Sequence, residues 1–178
     1  MNIPHEQSAE HAGSVEIRLM ALGLTLPAPS APAFQYVPVV IHRDVAYVSG
    51  QLPRMGGGVV KAGKVGREVS VEHAQNAARI CILQGLACLK QALGSLDQVK
   101  RILKVTGFVA SAQGFVEQPA VIDAASQLLV DLFGDAGRHA RSAVGVAELP
   151  RNSPVEIEMI AAAGRLGVRE ELMSAFYE

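Results

Sequence analysis

One segment constrains the fold of this chain more than any other: residues 70–93, which read SVEHAQNAARICILQGLACLKQAL. Ser70 is a typical N-cap residue, and the pattern after it predicts one long helix to about Leu93, where Gly94 and Ser95 break it. Its small residues recur at steps of three and four, at Ala74, Ala78, Cys81, Gly85, Cys88 and Ala92. Because small side chains on one helix face allow a close approach, we expect this helix to lie directly on a sheet.

Segments with strand character lie on both sides of this helix. The predicted elements, in chain order, are strands at 36–42 and 45–49 with a turn at Arg43 and Asp44, a small hairpin within 55–66, the helix, a strand at Val99–Ala110, a helix at Gln118–Phe133, and strands at 142–149 and Val155–Ala163. Two long helices on one face of a mixed sheet make an α+β layered fold. The strands carry more apolar positions than two helices cover, so we expect self-association to cover the other face.

The first part of the chain is predicted to differ from the compact domain, which we assign to residues 34–178. Residues 1–33 form an extension, with a short helix at 14–22 capped by Ser14 and then a proline-rich linker. We expect the short helix to lie against the main body. A terminal helix is predicted at 167–177.

Composition and motifs narrow the class of protein. The net charge is −1 and aromatic residues make up 4% of the chain, so a nucleic-acid partner is not expected. No apolar run approaches the ~18 residues of a membrane helix, and the N-terminal residues lack a signal-peptide pattern. Cys81 and Cys88 lie roughly 10 Å apart along one helix, too far for a disulfide, and predict reduced thiols in a cytoplasmic protein. The spacing of cysteines and histidines does not form a zinc pattern, so no metal is expected.

Two charged positions are candidates for a site. On the strand Val155–Ala163, alternation places Glu156 and Glu158 on one face, and this pattern by itself favours a solvated face. Arg141 comes directly after a loop, at the entrance of a strand, where a guanidinium can bind a carboxylate with two parallel hydrogen bonds. The residues alone leave open whether Arg141 is a binding residue or a surface residue.

Three blocks of this sequence resemble the signature blocks of a known family. VAYVSGQLP at 45–53, ARSAVGVAELP at 140–150 and VEIEMIA at 155–161 are similar to those of the RidA/YjgF superfamily, the reactive-intermediate (enamine/imine) deaminases also called L-PSP endoribonucleases. The resemblance extends from residue 36 to residue 163. It implies a chorismate-mutase-like α+β fold in a homotrimer with sites in the clefts between subunits. It further implies hydrolysis of 2-imino or 2-enamino acids to 2-oxo acids and ammonia, without a cofactor.

The resemblance also implies roles for single residues. Arg141 corresponds to the arginine that binds the substrate carboxylate, and Glu156 to the glutamate that handles the attacking water. The remaining substrate-binding residues that it implies are Tyr36, Ser49, Gly50, Gln51 and Ala143.

Some positions depart from the family pattern. The family often has Pro-Ala-Arg where this chain has His139, Ala140 and Arg141. A helix asparagine that supports the cleft in some members corresponds to Asp123 or Ser126. The roles of Arg138 and His139 are open, and for His139 a solvated position beside Arg141 is favoured.

Two other functions stay open beside deamination. The first is binding or sensing of a small carboxylate-bearing metabolite without turnover, since the substrate pocket departs from the family pattern. The second is ribonuclease activity, which ranks last because the chain lacks a basic stripe.

Overall fold

The computed structural model describes residues 15–29 and 34–164. Its helices and strands, in chain order, are α1 (Val15–Ala21), β1 (Val39–His42), β2 (Val45–Gln51), β3 (Arg54–Met55), β4 (Gly58–Val59), α2 (Val71–Leu93), β5 (Val99–Ala110), α3 (Gln118–Phe133), β6 (Ala140–Val146) and β7 (Val155–Ala163). Short 3₁₀ turns lie at Leu96–Gln98, Gly134–Gly137 and Pro150–Asn152. The predicted helix at 167–177 and the predicted cap at Ser14 lie outside the described residues.

Within the described residues, the main sheet has five strands in the order β1-β2-β7-β5-β6. Strands β5 and β6 are parallel, and the other neighbouring pairs are antiparallel. Strands β3 and β4 form a small separate hairpin. Helices α2 and α3 pack against each other and against the sheet. The predicted mixed α+β architecture is confirmed.

Helix α2 forms where its sequence predicts it. The Ser70 hydroxyl accepts a hydrogen bond from the His73 N–H at 3.3 Å, and Gly94 ends the helix with a φ of 82°, a conformation that glycine adopts at little cost. A Cβ added at Gly85 would overlap Cε of Met159 on β7 and lie 3.7 Å from Val48. The small residues of α2 therefore do allow the predicted close approach to the sheet.

The two faces of the sheet have different environments. On β7 the odd-numbered residues from Val155 to Ala163 are buried, while the even-numbered residues are partly or fully exposed. We call the buried side the helix-covered face and the other side the open face. The open face carries exposed apolar side chains as well as polar ones, among them Val40, Tyr47 and Val144.

Three predicted strands have different ends in the structure. Strand β2 runs over Val45–Gln51 and does not end at residue 49, because Gln51 pairs with Ile157 of β7 beyond the register shift. Strand β1 begins at Val39 and not at residue 36, because Pro38 has no N–H for a ladder, although its carbonyl still accepts from the Ser49 N–H at 2.9 Å. Strand β6 runs over Ala140–Val146 and not over 142–149, because its pairing partner β5 ends opposite Val146.

Helix α1 lies against the rest of the described chain. Its Val15 and Leu19 side chains are buried in the common core. Arg18 Nη1 donates to the carbonyl of Leu132 at 2.7 Å, and the Val15 N–H donates to Asp97 Oδ1 at 2.9 Å. These contacts fix α1 beside the end of α3. The division into residues 1–33 and 34–178 stays a prediction.

Candidate functional site

Arg141 is anchored to helix α3. It lies on β6 opposite Val105 of the parallel strand β5, and it therefore faces the helix-covered side. Its Nη1 donates to Asp123 Oδ1 at 2.9 Å and to Ser126 Oγ at 3.0 Å. Both bonds use the same nitrogen, so they leave the edge formed by Nη2 and Nε for another partner. The side chain is 27% exposed.

Asp123 and Ser126, the two candidates for the counterpart of the family's helix asparagine, both contact Arg141, and which of them corresponds to it stays a prediction. They lie three positions apart on α3, so both side chains project from the same helix face toward Arg141. Asp123 forms an ion pair with the guanidinium, and this contact and the Ser126 hydroxyl together orient it.

His139 is only partly exposed, so the solvated position that the sequence favoured is met only in part. Its ring is half-buried, with Nδ1 at 2.6 Å from the Gly137 carbonyl and Nε2 at 3.1 Å from Ser126 Oγ. Burial lowers the pKa of His139; the Gly137 carbonyl opposes this effect, and the charge of Arg141 lowers the pKa further. We call Arg141, Asp123, Ser126 and His139 the arginine cluster.

Arg141 separates two grooves on the helix side of the domain. One groove, of about 530 Å³, lies between α2 and α3 and is lined by Gln75, Arg79 and Gln127 as well as by Arg141. The other, of about 370 Å³, is lined by Arg138 and the whole arginine cluster. The guanidinium is therefore accessible to a small ligand from outside the domain.

Glu156 lies on the open face of β7, opposite Phe108 of β5. A Cβ added at Gly50 would overlap Oε1 of Glu156 and lie 2.9 Å from its Cδ, so the carboxylate rests on the glycine. The side chain is half-buried. Burial raises the pKa of Glu156 above its ordinary value, and the neighbouring carboxylate of Glu158 adds to the rise.

Strand β2 carries Gly50 in an irregular stretch. The β2–β7 register shifts between Val48 and Gln51, so Ser49 and Gly50 together lie opposite Glu158. The exposed Tyr36 precedes β1 at the same end of the sheet, since Pro38 pairs with Ser49. We call Glu156, Gly50, Ser49 and Tyr36 the glutamate cluster.

Gln51 and Ala143 lie on the helix-covered face, and Gln51 contacts Ser49 of the glutamate cluster. The Gln51 side chain is 4% exposed on the helix-covered face, where Nε2 donates to the Ser49 carbonyl at 3.0 Å and Oε1 lies 3.9 Å from Cys88 Sγ. Gln51 therefore stabilises the irregular stretch of β2 from the helix-covered face. Ala143 lies on β6 two positions after Arg141, opposite Gly107 and on the same face as Arg141.

The two clusters lie on opposite faces of the sheet. Two strand spacings and three residues along β7 separate Arg141 from Glu156, which places their Cα atoms roughly 14 Å apart. Their side chains also project in opposite directions. One chain therefore presents an accessible guanidinium on one face and a half-buried carboxylate on the other, but it does not bring them together.

Other kinds of site find no support in the described part of the chain. No group of histidine, cysteine, aspartate or glutamate side chains there is arranged to hold a metal ion. Over the same residues, the helices are too short or too polar to cross a membrane.

The fold defines a class of protein, a chorismate-mutase-like α+β domain. Residues 16–163 match the family model described as "YjgF/chorismate mutase-like, putative endoribonuclease". The chain belongs to this family, and the resemblance to the RidA/YjgF superfamily is confirmed.

Known proteins support this assignment. Protein TCP17 of Trypanosoma cruzi is 44% identical over 150 residues, which cover 84% of this chain and 94% of that protein. The crystal structure of Atu1372 from Agrobacterium tumefaciens, a protein of unknown function, has a TM-score of 0.78 at 48% identity, covering 84% of this chain and 92% of the other. The crystal structure of E. coli TdcF with bound serine has a TM-score of 0.56 at 27% identity, covering 77% of this chain and 94% of the other.

The sequence did not reveal the place of His139. A histidine between Arg138 and Arg141 in a loop has no pattern that distinguishes a solvated ring from a packed one. Only the contact with Ser126, which is 13 positions earlier in the chain, determines its environment.

Proposed function

We propose that this protein is an imine/enamine deaminase whose active site is formed between two copies of the chain in a homotrimer. The observation that carries the proposal is the pair of half-sites: an anchored guanidinium with a free edge, and a half-buried carboxylate of raised pKa on the opposite face. The apolar side chains on the open face support self-association, which would bring the two faces of different copies together.

In the proposed site, Arg141 binds the carboxylate of a 2-imino acid with the edge formed by Nη2 and Nε. Two parallel charge-assisted hydrogen bonds fix the position of the adjacent imine carbon. Ala143 offers backbone groups on the same face. The ligand is then held at the carboxylate end, and its reacting carbon lies toward the neighbouring subunit.

Glu156 of the neighbouring copy acts as general base and acid. It removes a proton from water as the water oxygen bonds to the imine carbon, and it passes this proton to the nitrogen to give a tetrahedral carbinolamine. The carboxylate then takes the proton of the carbinolamine hydroxyl and delivers it to the nitrogen, the C–N bond breaks as the C=O bond forms, and a 2-oxo acid and ammonia leave. A raised pKa suits this exchange, because it makes the Glu156 carboxylate a better proton acceptor than an ordinary glutamate.

Arg141→Ala and Glu156→Gln test this proposal. We expect either change to lower the catalysed release of ammonia by at least about 10²-fold with a 2-imino acid generated in situ by an amino-acid oxidase. The sedimentation coefficient should not change. Glu158→Gln is the matched control, since Glu158 is an exposed carboxylate on the same face. It should retain most of the activity, because burial is the larger cause of the raised pKa of Glu156 and Glu158 only adds to it. Full activity of Arg141→Ala or of Glu156→Gln would refute the assigned role of that residue.

Binding or sensing of a carboxylate-bearing metabolite without turnover is the second candidate function. The neighbour TdcF, which was crystallised with bound serine, favours it, because serine presents a carboxylate to the site that binds it. A thermal shift with a 2-oxo acid but without ammonia release would support binding alone. Cleavage of RNA is the third candidate, and the net charge of −1 disfavours it.

A further inference from the structure

The arginine cluster forms a continuous chain of hydrogen bonds from a loop carbonyl to the guanidinium. His139 Nδ1 lies 2.6 Å from the Gly137 carbonyl oxygen, and Nε2 lies 3.1 Å from Ser126 Oγ. The same Ser126 oxygen accepts from Arg141 Nη1 at 3.0 Å. Asp123 accepts from the other side of this nitrogen at 2.9 Å.

The two hydrogen-bond partners of His139 determine its tautomer. A carbonyl oxygen only accepts hydrogen bonds, so Nδ1 must carry the proton that it donates to Gly137. In the neutral ring Nε2 then has a lone pair and accepts the hydroxyl proton of Ser126. With its proton committed to His139, Ser126 turns a lone pair toward Arg141 Nη1.

The surroundings of His139 favour this neutral form. The charged groups near the ring are Arg138 and Arg141 on its own segment, Asp123 on α3 and Asp135 on the preceding turn. The two acids are paired with the two arginines, at 2.9 Å for Asp123 and 3.1 Å for Asp135, so neither contacts the imidazole. Burial and the charge of Arg141 both lower the pKa of His139.

We propose that His139 is a positioning residue that acts through Ser126 to hold Arg141 with its Nη2 and Nε edge turned toward the ligand carboxylate. This inference rests on the proposed role of Arg141 in carboxylate binding. If the acceptor at Nε2 is lost, the Ser126 hydroxyl is free to rotate and one of the two fixed contacts of Nη1 is weakened. The guanidinium then has more orientations in the free protein, and binding must select one of them.

The experiment measures the Kd of the assembled protein for pyruvate, a simple 2-oxo acid, by titration calorimetry. We expect His139→Leu and Ser126→Ala each to weaken binding on the order of tenfold, as for the loss of one hydrogen bond to a charged group. The double variant should bind pyruvate no more weakly than the worse of the two single variants, because both changes break the same series of hydrogen bonds. His139→Gln presents an amide oxygen near the place of Nε2 and should restore most of the affinity.

A matched control is available in the same chain. His73 Nδ1 lies 2.7 Å from the hydroxyl of Ser70, which makes this an exposed histidine–serine pair. His73→Leu removes a similar contact at a residue that lines neither of the two grooves beside Arg141, and it should leave the Kd unchanged. In steady-state kinetics, His139→Leu should raise KM by a similar factor and change kcat by less than about twofold.

Several results would overturn the inference. These are an unchanged Kd in His139→Leu, additive losses in the double variant, or a His139→Gln variant as weak as His139→Leu. Arg141→Ala separates this failure from failure of the proposed function. If Arg141→Ala binds pyruvate as tightly as the native protein, the carboxylate-binding role itself is wrong. If Arg141→Ala abolishes binding while His139→Leu does not change it, only the positioning role fails.

Discussion

At the scale of single residues, Gly50 and Glu156 depend on each other. The Glu156 carboxylate occupies the space where a side chain at Gly50 would begin, and no other residue type leaves that space open. Gly50 also lies in the irregular stretch of β2, where two residues oppose one on β7. Gly50 therefore leaves room for the position that the Glu156 carboxylate adopts.

Gly50→Ala should impair catalysis much more than folding. The added Cβ overlaps the far end of a flexible side chain, so Glu156 can rotate away at a small cost in the free energy of unfolding, under about 1 kcal/mol. The carboxylate then loses its position, and we expect the rate of ammonia release to fall at least about tenfold. Paired measurements of activity and of urea unfolding test this prediction.

Gly58→Ala is the control for Gly50→Ala, because an added Cβ at Gly58 meets nothing within 4 Å. It should leave activity and stability unchanged. Native-like activity in Gly50→Ala would show that the position of the Glu156 carboxylate does not matter for turnover.

At the scale of elements, the β5-α3-β6 connection builds the arginine cluster. Because β5 and β6 are parallel neighbours, the chain must return across the sheet between them, and α3 makes this return. The return places Asp123 and Ser126 above Arg141. The loop after α3 then packs back on the helix, where Gly137 is buried.

Gly137→Ala should destabilise the protein, whereas Gly85→Ala should not. A Cβ at Gly137 would overlap the carbonyl oxygen of Leu129 and lie 2.8 Å from the nitrogen of Val130, and backbone atoms inside a helix cannot move away cheaply. We expect the free energy of unfolding to fall by about 1–3 kcal/mol. At Gly85 the obstacle is the flexible end of Met159, and the helix propensity of alanine offsets it by up to about 1 kcal/mol.

Urea unfolding of the two variants measures this contrast. Equal losses of stability in both variants would mean that the kind of atom in the way, backbone or flexible side chain, does not decide the cost.

At the scale of the whole molecule, the open face is the side of the sheet on which apolar side chains stay exposed in a single chain. Tyr47 is 46% exposed and Val40 is 51% exposed on neighbouring strands, where their backbones pair. Glu156 lies on this face, while Arg141 lies on the other side of the sheet. A second copy that covers the open face would bury these apolar side chains and bring its own arginine cluster to the carboxylate.

Mixed oligomers provide a decisive prediction for a shared site. Arg141→Ala and Glu156→Gln chains, each inactive alone, should regain activity when they are unfolded together and refolded as a mixture. Random assortment gives about a quarter of the sites both an intact Arg141 and an intact Glu156 from different copies. Ammonia release should therefore reach roughly a quarter of the native rate per chain. A mixture that stays inactive, while sedimentation shows mixed oligomers, would exclude a site formed between copies.

The sequence by itself determined the elements and the family. Helix periodicity, the cap at Ser70 and the stop at Gly94 are local signals, so α2 lies where they predict it. The blocks around Gly50, Arg141 and Glu156 are contiguous in the chain, so they identify the family without any knowledge of contacts.

Only the tertiary structure decided which groups meet. The face on which Arg141 lies depends on its register with β5, and this register joins residues far apart in the chain. His139 contacts Ser126 because Gly137, in the loop before it, packs on α3, and no local sequence pattern predicts this packing. Strand ends and the environment of the His139 ring depend on such long-range partners, whereas helix periodicity and turn chemistry are local. Sequence-based prediction therefore fails where a long-range contact decides the outcome.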